Sequence, residues 1–229
     1  MLSSPAVSGP IALDSSKRTF IRKTYLHLLG AVLALVAFEV YLFQSGVALR
    51  IAETMLSTSW LVILGGFIVA GWLARRVAHG SDSRALQYAA LAGYVVAQGL
   101  LLTPLLIVAH VKAGGGVIGS AAFATVLGFA GLTAIVFTTR QDFSFLGALL
   151  KWGGFCALGL IVASVLFGFN LGTVFSAAMV TLAGASILYD TSNILHHYPH
   201  DKHVGASLEL FASVVMLFWY LLRLFSSRR

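Results

Sequence analysis

Seven runs of about 20 apolar residues, separated by short polar breaks, limit this chain more than any other feature. They are read at 24–44, 58–74, 85–108, 116–137, 145–168, 172–197 and 204–225. About 20 mostly apolar residues are needed to cross a hydrocarbon core of roughly 30 Å. The breaks read "QSGVALRIAE", "RRVAHGSDSR", "HVKAGGG", "TTRQDFS", "GFN" and "HYPHDKH". Spans joined this tightly leave no room for a second, soluble domain. Inside a bilayer every backbone polar group needs an internal partner, and a helix supplies one within the span. The expected fold class is therefore all-α, a polytopic membrane protein with a seven-helix bundle. One transmembrane domain covers 20–229, behind a disordered polar tail at 1–19.

Composition agrees. Charged residues make up 10% of the chain and hydrophobic residues 59%, whereas a soluble domain carries about 25% charged residues. So few charges cannot coat a globular surface, and the surface is expected to meet lipid. The first sixteen residues, "MLSSPAVSGPIALDSS", lack the charged start and short apolar core of a signal peptide, so the amino terminus is expected to be kept.

A net charge of +7 is not read as a nucleic-acid footprint, because the cations sit in loops as orientation signals. With the amino terminus inside, Lys17, Arg18, Arg22, Lys23, Arg75, Arg76, Arg84, Arg140, Lys151 and Lys202 are cytoplasmic. Arg50, Lys112, Arg223, Arg228 and Arg229 fall outside. The positive-inside rule favours this orientation, although the carboxyl-terminal arginines dissent. A last helix that dips in and returns would place them inside. The single cysteine, Cys156, permits no internal disulfide and leaves the redox compartment open.

Three acidic residues interrupt the apolar runs: Glu39, Asp190 and Glu209. A carboxylate at the bilayer centre costs about 2.5–3.5 kcal/mol on insertion scales, so such residues usually face protein or water. Glu39 lies a turn or two from a span end and has a second reading, an interfacial carboxylate reaching to the headgroups. Asp190 sits deeper. Ser186, Asp190, Asn193 and His197 are spaced four, three and four apart, which makes one polar stripe on an otherwise apolar helix. Glu209, Ser213, Met216, Tyr220 and Arg223 share a face of the next helix in the same way. Folding the two helices about "YPHD" brings Asp190 to the depth of Glu209 and Ser213. If both stripes face inward, the two carboxylates lie within a turn of each other. Such a pair can share a proton or offer oxygen ligands to a hard cation such as Ca²⁺. Two unrelated, separately hydrogen-bonded side chains are the plainer alternative.

His196, His197, His200 and His203 cluster at the edge of the last two spans. Without cysteine partners they are read as interfacial groups that tune local charge, and no metal site or cofactor is expected. The chain contains no HExxH, GxSxG or Walker loop, and the Tyr189–Asp190 pair lacks the Gly-x-Gly-Asp partner of intramembrane aspartyl proteases. Catalysis is not expected. Gly-rich spacing is read as close helix packing, and Pro104 as a kink in the third span.

Four stretches carry a resemblance. "FIRKTYLHLLGAVLA" (20–34), "GLTAIVFTTRQDFSFLGALL" (131–150), "LYDTSNILHHY" (188–198) and "ASLELFASVVMLFWYLLRLF" (206–225) occur in order along most of the chain. In these the chain resembles the Bax inhibitor-1, or transmembrane Bax inhibitor motif, family. The resemblance implies a seven-helix bundle with a pore-like centre and, for several members, a pH-sensitive calcium leak gated by paired aspartates. The first aspartate corresponds to Asp190. The second would stand at 213, where this chain has Ser213, and the usual Asn three residues later is Met216. Glu209, one turn earlier, is the candidate substitute for the missing charge, an inference the family does not supply.

Two functions from different classes follow as expectations. One is a cation leak for Ca²⁺ or protons, centred on Asp190 and Glu209. The other is a non-conducting regulator that binds membrane proteases or cell-death factors. Multi-pass residence in a bacterial inner membrane is expected for both.

Overall fold

A computed structural model describes residues 15–227 of the chain. Among them are eight helices and no strand: α1 (Ser15–Gln44), α2 (Val47–Ser57), α3 (Trp60–Gly80), α4 (Arg84–Ala113), α5 (Gly116–Thr139), α6 (Leu146–Phe167), α7 (Gly172–His196) and α8 (His203–Ser226). Seven of the eight are long and apolar enough to cross a membrane. The all-α, seven-span fold class expected from the sequence is what the chain adopts. The expected polar tail at 1–19 falls outside the described residues up to residue 14, and from Ser15 onward α1 has already begun.

The eighth helix is a departure. "QSGVALRIAE" reads as a polar break, yet most of it lies in α2, which buries Ala48 and Ala52 and packs against α1 and α4. Gly46 precedes it at φ 72°, a left-handed conformation that glycine adopts without strain. At 11 residues, α2 is about 16 Å long, too short to cross. It therefore leaves the count of crossings unchanged.

Those crossings put the start of α1 and the end of α8 on opposite faces, called here the amino-terminal and carboxyl-terminal faces. The alternative in which the last helix dips and returns is overturned, because α8 runs unbroken through 24 residues. That is about 36 Å, a full crossing.

α8 is the centre of the bundle. It packs against α1, α3, α4, α5 and α7 and buries residues on every side, among them Val204, Leu208, Leu210, Phe211 and Leu222. A helix apolar all round belongs in such a place. α6 is its opposite: of its 22 residues only Ala157 is buried. Lipid tails are as apolar as leucine, so helices in a membrane associate through close packing and interhelical hydrogen bonds. Small residues mark where this happens. Gly205 lets α8 meet the end of α3, where an added Cβ would lie 3.1 Å from the His79 ring and 3.3 Å from the Ala78 carbonyl. Gly99 does the same between α4 and α1, its added Cβ falling 2.5 Å from Phe38 Cδ1. α4 itself continues through Pro104.

Two glycines give a contrast in stability. Gly99→Ala forces Phe38 aside and is expected to destabilise the bundle by about 1–3 kcal/mol, the usual cost of overpacking. Gly30→Ala, whose added Cβ meets nothing within 4 Å, is expected to leave the melting temperature in detergent unchanged or higher.

Candidate functional site

Asp190 lies on the inner side of α7, six residues before the helix ends at the amino-terminal face. At 1.5 Å per residue that is about 9 Å below the end. Its carboxylate accepts a 2.6 Å hydrogen bond from the hydroxyl of Ser213 on α8. Glu209, one turn before Ser213, does not bond to Asp190. It is held by Arg75 of α3, whose Nε donates to Oε2 at 2.9 Å. Asp190, Glu209 and Arg75 remain within electrostatic range of one another. The two acids expected to pair are thus brought to neighbouring positions on adjacent helices, but an arginine is the direct partner of one.

Arg75 is the residue that sequence reasoning missed. Hydropathy ends the second span at 74, where the charges begin, and puts Arg75 in a loop. The helix runs on to Gly80, so the guanidinium hangs more than a turn inside the end of α3 and faces α8. The available clue is an Arg–Arg pair followed by three more residues before the first turn signal, Gly80.

A second layer supports this ion pair. His79, one turn after Arg75, has Nδ1 2.9 Å from the Arg75 carbonyl and Nε2 2.9 Å from the Tyr198 hydroxyl. The carbonyl can only accept, so Nδ1 carries a proton, and in the neutral ring Nε2 accepts from Tyr198. Burial, with the charges of Glu209 and Asp190 behind it, pushes the Tyr198 phenol well above its ordinary range. It therefore remains a donor. His79 Nε2 also lies 4.0 Å from Glu209 Oε1.

The remaining predicted residues divide. Ser186 and Asn193 line the same cavity as Asp190, Glu209, Ser213 and Arg75. His197 does not, which corrects its place in the polar stripe. It caps the end of α7, and its ring turns to the loop between α5 and α6. There Nε2 donates to Asp142 Oδ2 at 2.9 Å. Glu39 is also remote from the cavity. It is buried between α1 and α4, 3.2 Å from the Thr103 hydroxyl, and so does not reach to the headgroups. The four clustered histidines scatter: His196 bonds the Ser192 carbonyl, His200 meets Ser16, and His203 packs against Arg84 and His27. Among the described residues no three His, Cys, Asp or Glu side chains gather as metal ligands.

The cavity has a volume near 1160 Å³ and is walled by α3, α4, α6, α7 and α8. Its polar floor holds Arg75, Asp190 and Glu209, and its walls are largely apolar and aromatic, with Phe67, Trp72 and Phe155 among them.

Outside the membrane, the loop between α5 and α6 is pinned to the end of α7. Asp142 accepts from the Ser144 amide at 2.9 Å, from the Ser192 hydroxyl at 3.3 Å and from His197. Phe143 N–H donates to Ser192 Oγ at 2.8 Å. This tether is the structural meaning of the "QDFS" stretch.

Comparison with known proteins decides the family. The profile described as "Inhibitor of apoptosis-promoting Bax1" matches residues 17–229. The chain belongs to the Bax inhibitor-1 family. It is 41% identical over 113 residues to the Uncharacterized protein PA2604 of Pseudomonas aeruginosa, covering 49% of this chain and 50% of that one. A Campylobacter jejuni relative, the Uncharacterized protein Cj0236c, is 30% identical over 227 residues, covering 93% and 90%. The Modulator of FtsH protease YccA of Escherichia coli is 35% identical over 134 residues, 57% of this chain and 60% of that protein. The Golgi anti-apoptotic protein of vaccinia virus is 30% identical over 139 residues, covering 58% and 55%. The chain thus spans only about half to three fifths of the Pseudomonas, Escherichia coli and viral relatives. Another Escherichia coli relative is named as an inner membrane protein. With the seven spans, this places the Bax inhibitor-1 family chain as a multi-pass protein of a bacterial inner membrane.

The Asp142 tether has a pH signature. The Ser144 amide first, and then His197, hold the Asp142 carboxyl down at about 2, below its ordinary value near 3.8. A carboxyl lowered on folding stabilises the fold above its unfolded value and loses that contribution as pH falls through the folded one. The melting-temperature gap between the parent and Asp142→Asn is therefore expected to be constant from neutral pH down to about 5. It should close as pH drops through the window from about 4 to about 2.

Proposed function

We propose that this Bax inhibitor-1 family protein is a pH-sensitive cation leak with Ca²⁺ as the candidate permeant ion. Asp190 is its titrating gate, and Arg75–Glu209 is the latch beside it. The observation that carries the reading is the arrangement at the cavity floor. One half-buried carboxylate is held by a neutral hydroxyl alone, and beside it a second carboxylate is already neutralised by an arginine. With both acids ionised, the trio of Asp190, Glu209 and Arg75 carries a net charge of −1. A proton on Asp190 brings it to zero. A hard cation favours oxygen ligands of the first kind of site and not of the second. Protons and cations therefore compete for Asp190. In place of an aspartate pair, the second family aspartate being Ser213 here, the negative charge is split between α7 and α8 and partly cancelled from α3.

In vesicles loaded with a Ca²⁺ dye, flux through the parent is expected to fall as the pH is lowered from about 8 to about 6. That change should vanish in Asp190→Asn, since one titrating group sets it. Arg75→Gln is expected to raise flux at about pH 8 by several-fold, because it leaves two uncompensated carboxylates on the pathway. Identical pH profiles in Asp190→Asn and the parent would sink the proposal.

A second reading is a non-conducting regulator that binds a membrane protease. It is favoured by the similarity to the Modulator of FtsH protease of Escherichia coli. Full regulatory activity in an Asp190→Asn, Glu209→Gln double variant would select this reading over the leak.

A further inference from the structure

The cavity that holds the carboxylate site continues far beyond it. On α8 its lining runs from Glu209 to Arg223, 14 residues apart and therefore separated by about 21 Å along the axis. The bilayer's hydrocarbon core is roughly 30 Å, so this length exceeds one leaflet. Between the two ends the walls come chiefly from α3 and α6, which meet at only a few points. Phe67, Leu158, Ile161 and Met216 face the gap. The opening thus lies sideways, toward the acyl chains. An apolar gap does not hold water well, and a void left empty forfeits the dispersion contacts of every atom lining it. Hydrocarbon is the filling that costs least.

The far end has a different chemistry. Arg223 is half-buried at the carboxyl-terminal face, beside Trp219 and the buried Tyr220. No carboxylate pairs with it among the described residues. A guanidinium in this position recognises a phosphate through a charge-assisted, often bidentate, hydrogen bond. Aromatic side chains with a polar tip favour the same headgroup level. A cation and aromatic rings at the mouth of a long hydrocarbon slot match an amphiphile with an anionic head and an extended tail.

We propose that the cleft between α3 and α6 is a phospholipid site. The phosphate sits on Arg223 and one acyl chain runs down the cleft toward Arg75 and Glu209. The lipid comes from the leaflet at the carboxyl-terminal face, and its tail covers the approach to the carboxylate floor from the bilayer. Whether or not ions pass, the site stands on the shape and chemistry of the cleft.

The test uses the full chain, delipidated in detergent and titrated with phosphatidylglycerol, with bound lipid counted by native mass spectrometry. A dibrominated phosphatidylglycerol reports the seat of the chain by quenching tryptophan fluorescence. One tightly retained lipid per chain is expected in the parent. Gly154→Leu should abolish retention, because Gly154 lines the cleft and an added Cβ there meets nothing within 4 Å. A leucine there starts from a position with room for its Cβ and projects into the slot. Arg223→Gln should weaken retention by about tenfold or more, as for a lost charge-assisted hydrogen bond, while leaving the melting temperature unchanged. It keeps the test decisive should the Gly154 variant not fold. Equal retention in the parent and both variants overturns the proposal. So does the absence of any retained lipid, or a dimer in which the second copy fills the cleft.

Discussion

α8 must satisfy its own polar side chains inside a shell of other helices. It is packed against α1, α3, α4, α5 and α7, and only its cavity-facing side is left open. Ser213 and Glu209 have to find partners on whatever helix lies opposite. Ser213 finds Asp190 on α7, and Glu209 finds Arg75 on α3. These two contacts fix how α7 and α3 are rotated against the central helix. The carboxylate floor is thus a consequence of burying α8.

The same contacts explain why the floor is asymmetric. Asp190 meets a hydroxyl that can donate one hydrogen bond and carries no charge, whereas Glu209 meets a full positive charge. Two carboxylates of similar depth therefore occupy unlike electrostatic environments, which is how neighbouring acids come to have separate roles. His79 and Tyr198 stand behind the ion pair. They tie the end of α3 to the turn between α7 and α8, so the latch is braced from the amino-terminal face.

Much of this was legible in the sequence. The seven spans were plain, because apolar runs of this length have few other uses. The depth of Asp190 relative to Glu209 and Ser213 followed from the hairpin turn and the rise of a helix. What escaped had two physical causes. Hydropathy ends a span at the first charge, but a helix ends where its backbone does, and α3 carries Arg75 inward past that point. Helical spacing also holds only while the helix lasts. His197 continues the stripe of Ser186, Asp190 and Asn193 on paper, yet it comes one residue after α7 stops and points elsewhere. The short α2 was hidden for a third reason. Its 11 residues are too few for a span, and Arg50 and Glu53 make the segment read as a polar connection.

α6 and α8 have similar lengths and similar apolar composition, yet one leans on the bundle by a single side and the other touches nearly everything. On the lipid-facing surface of α6, at Trp152 or Phe167, one greasy side chain can replace another without any neighbour registering the change. On α8 no such indifference exists, since each substitution alters a fit shared with several helices. Room for substitution is therefore divided by position in the bundle, wide on the outer face of α6 and narrow along α8.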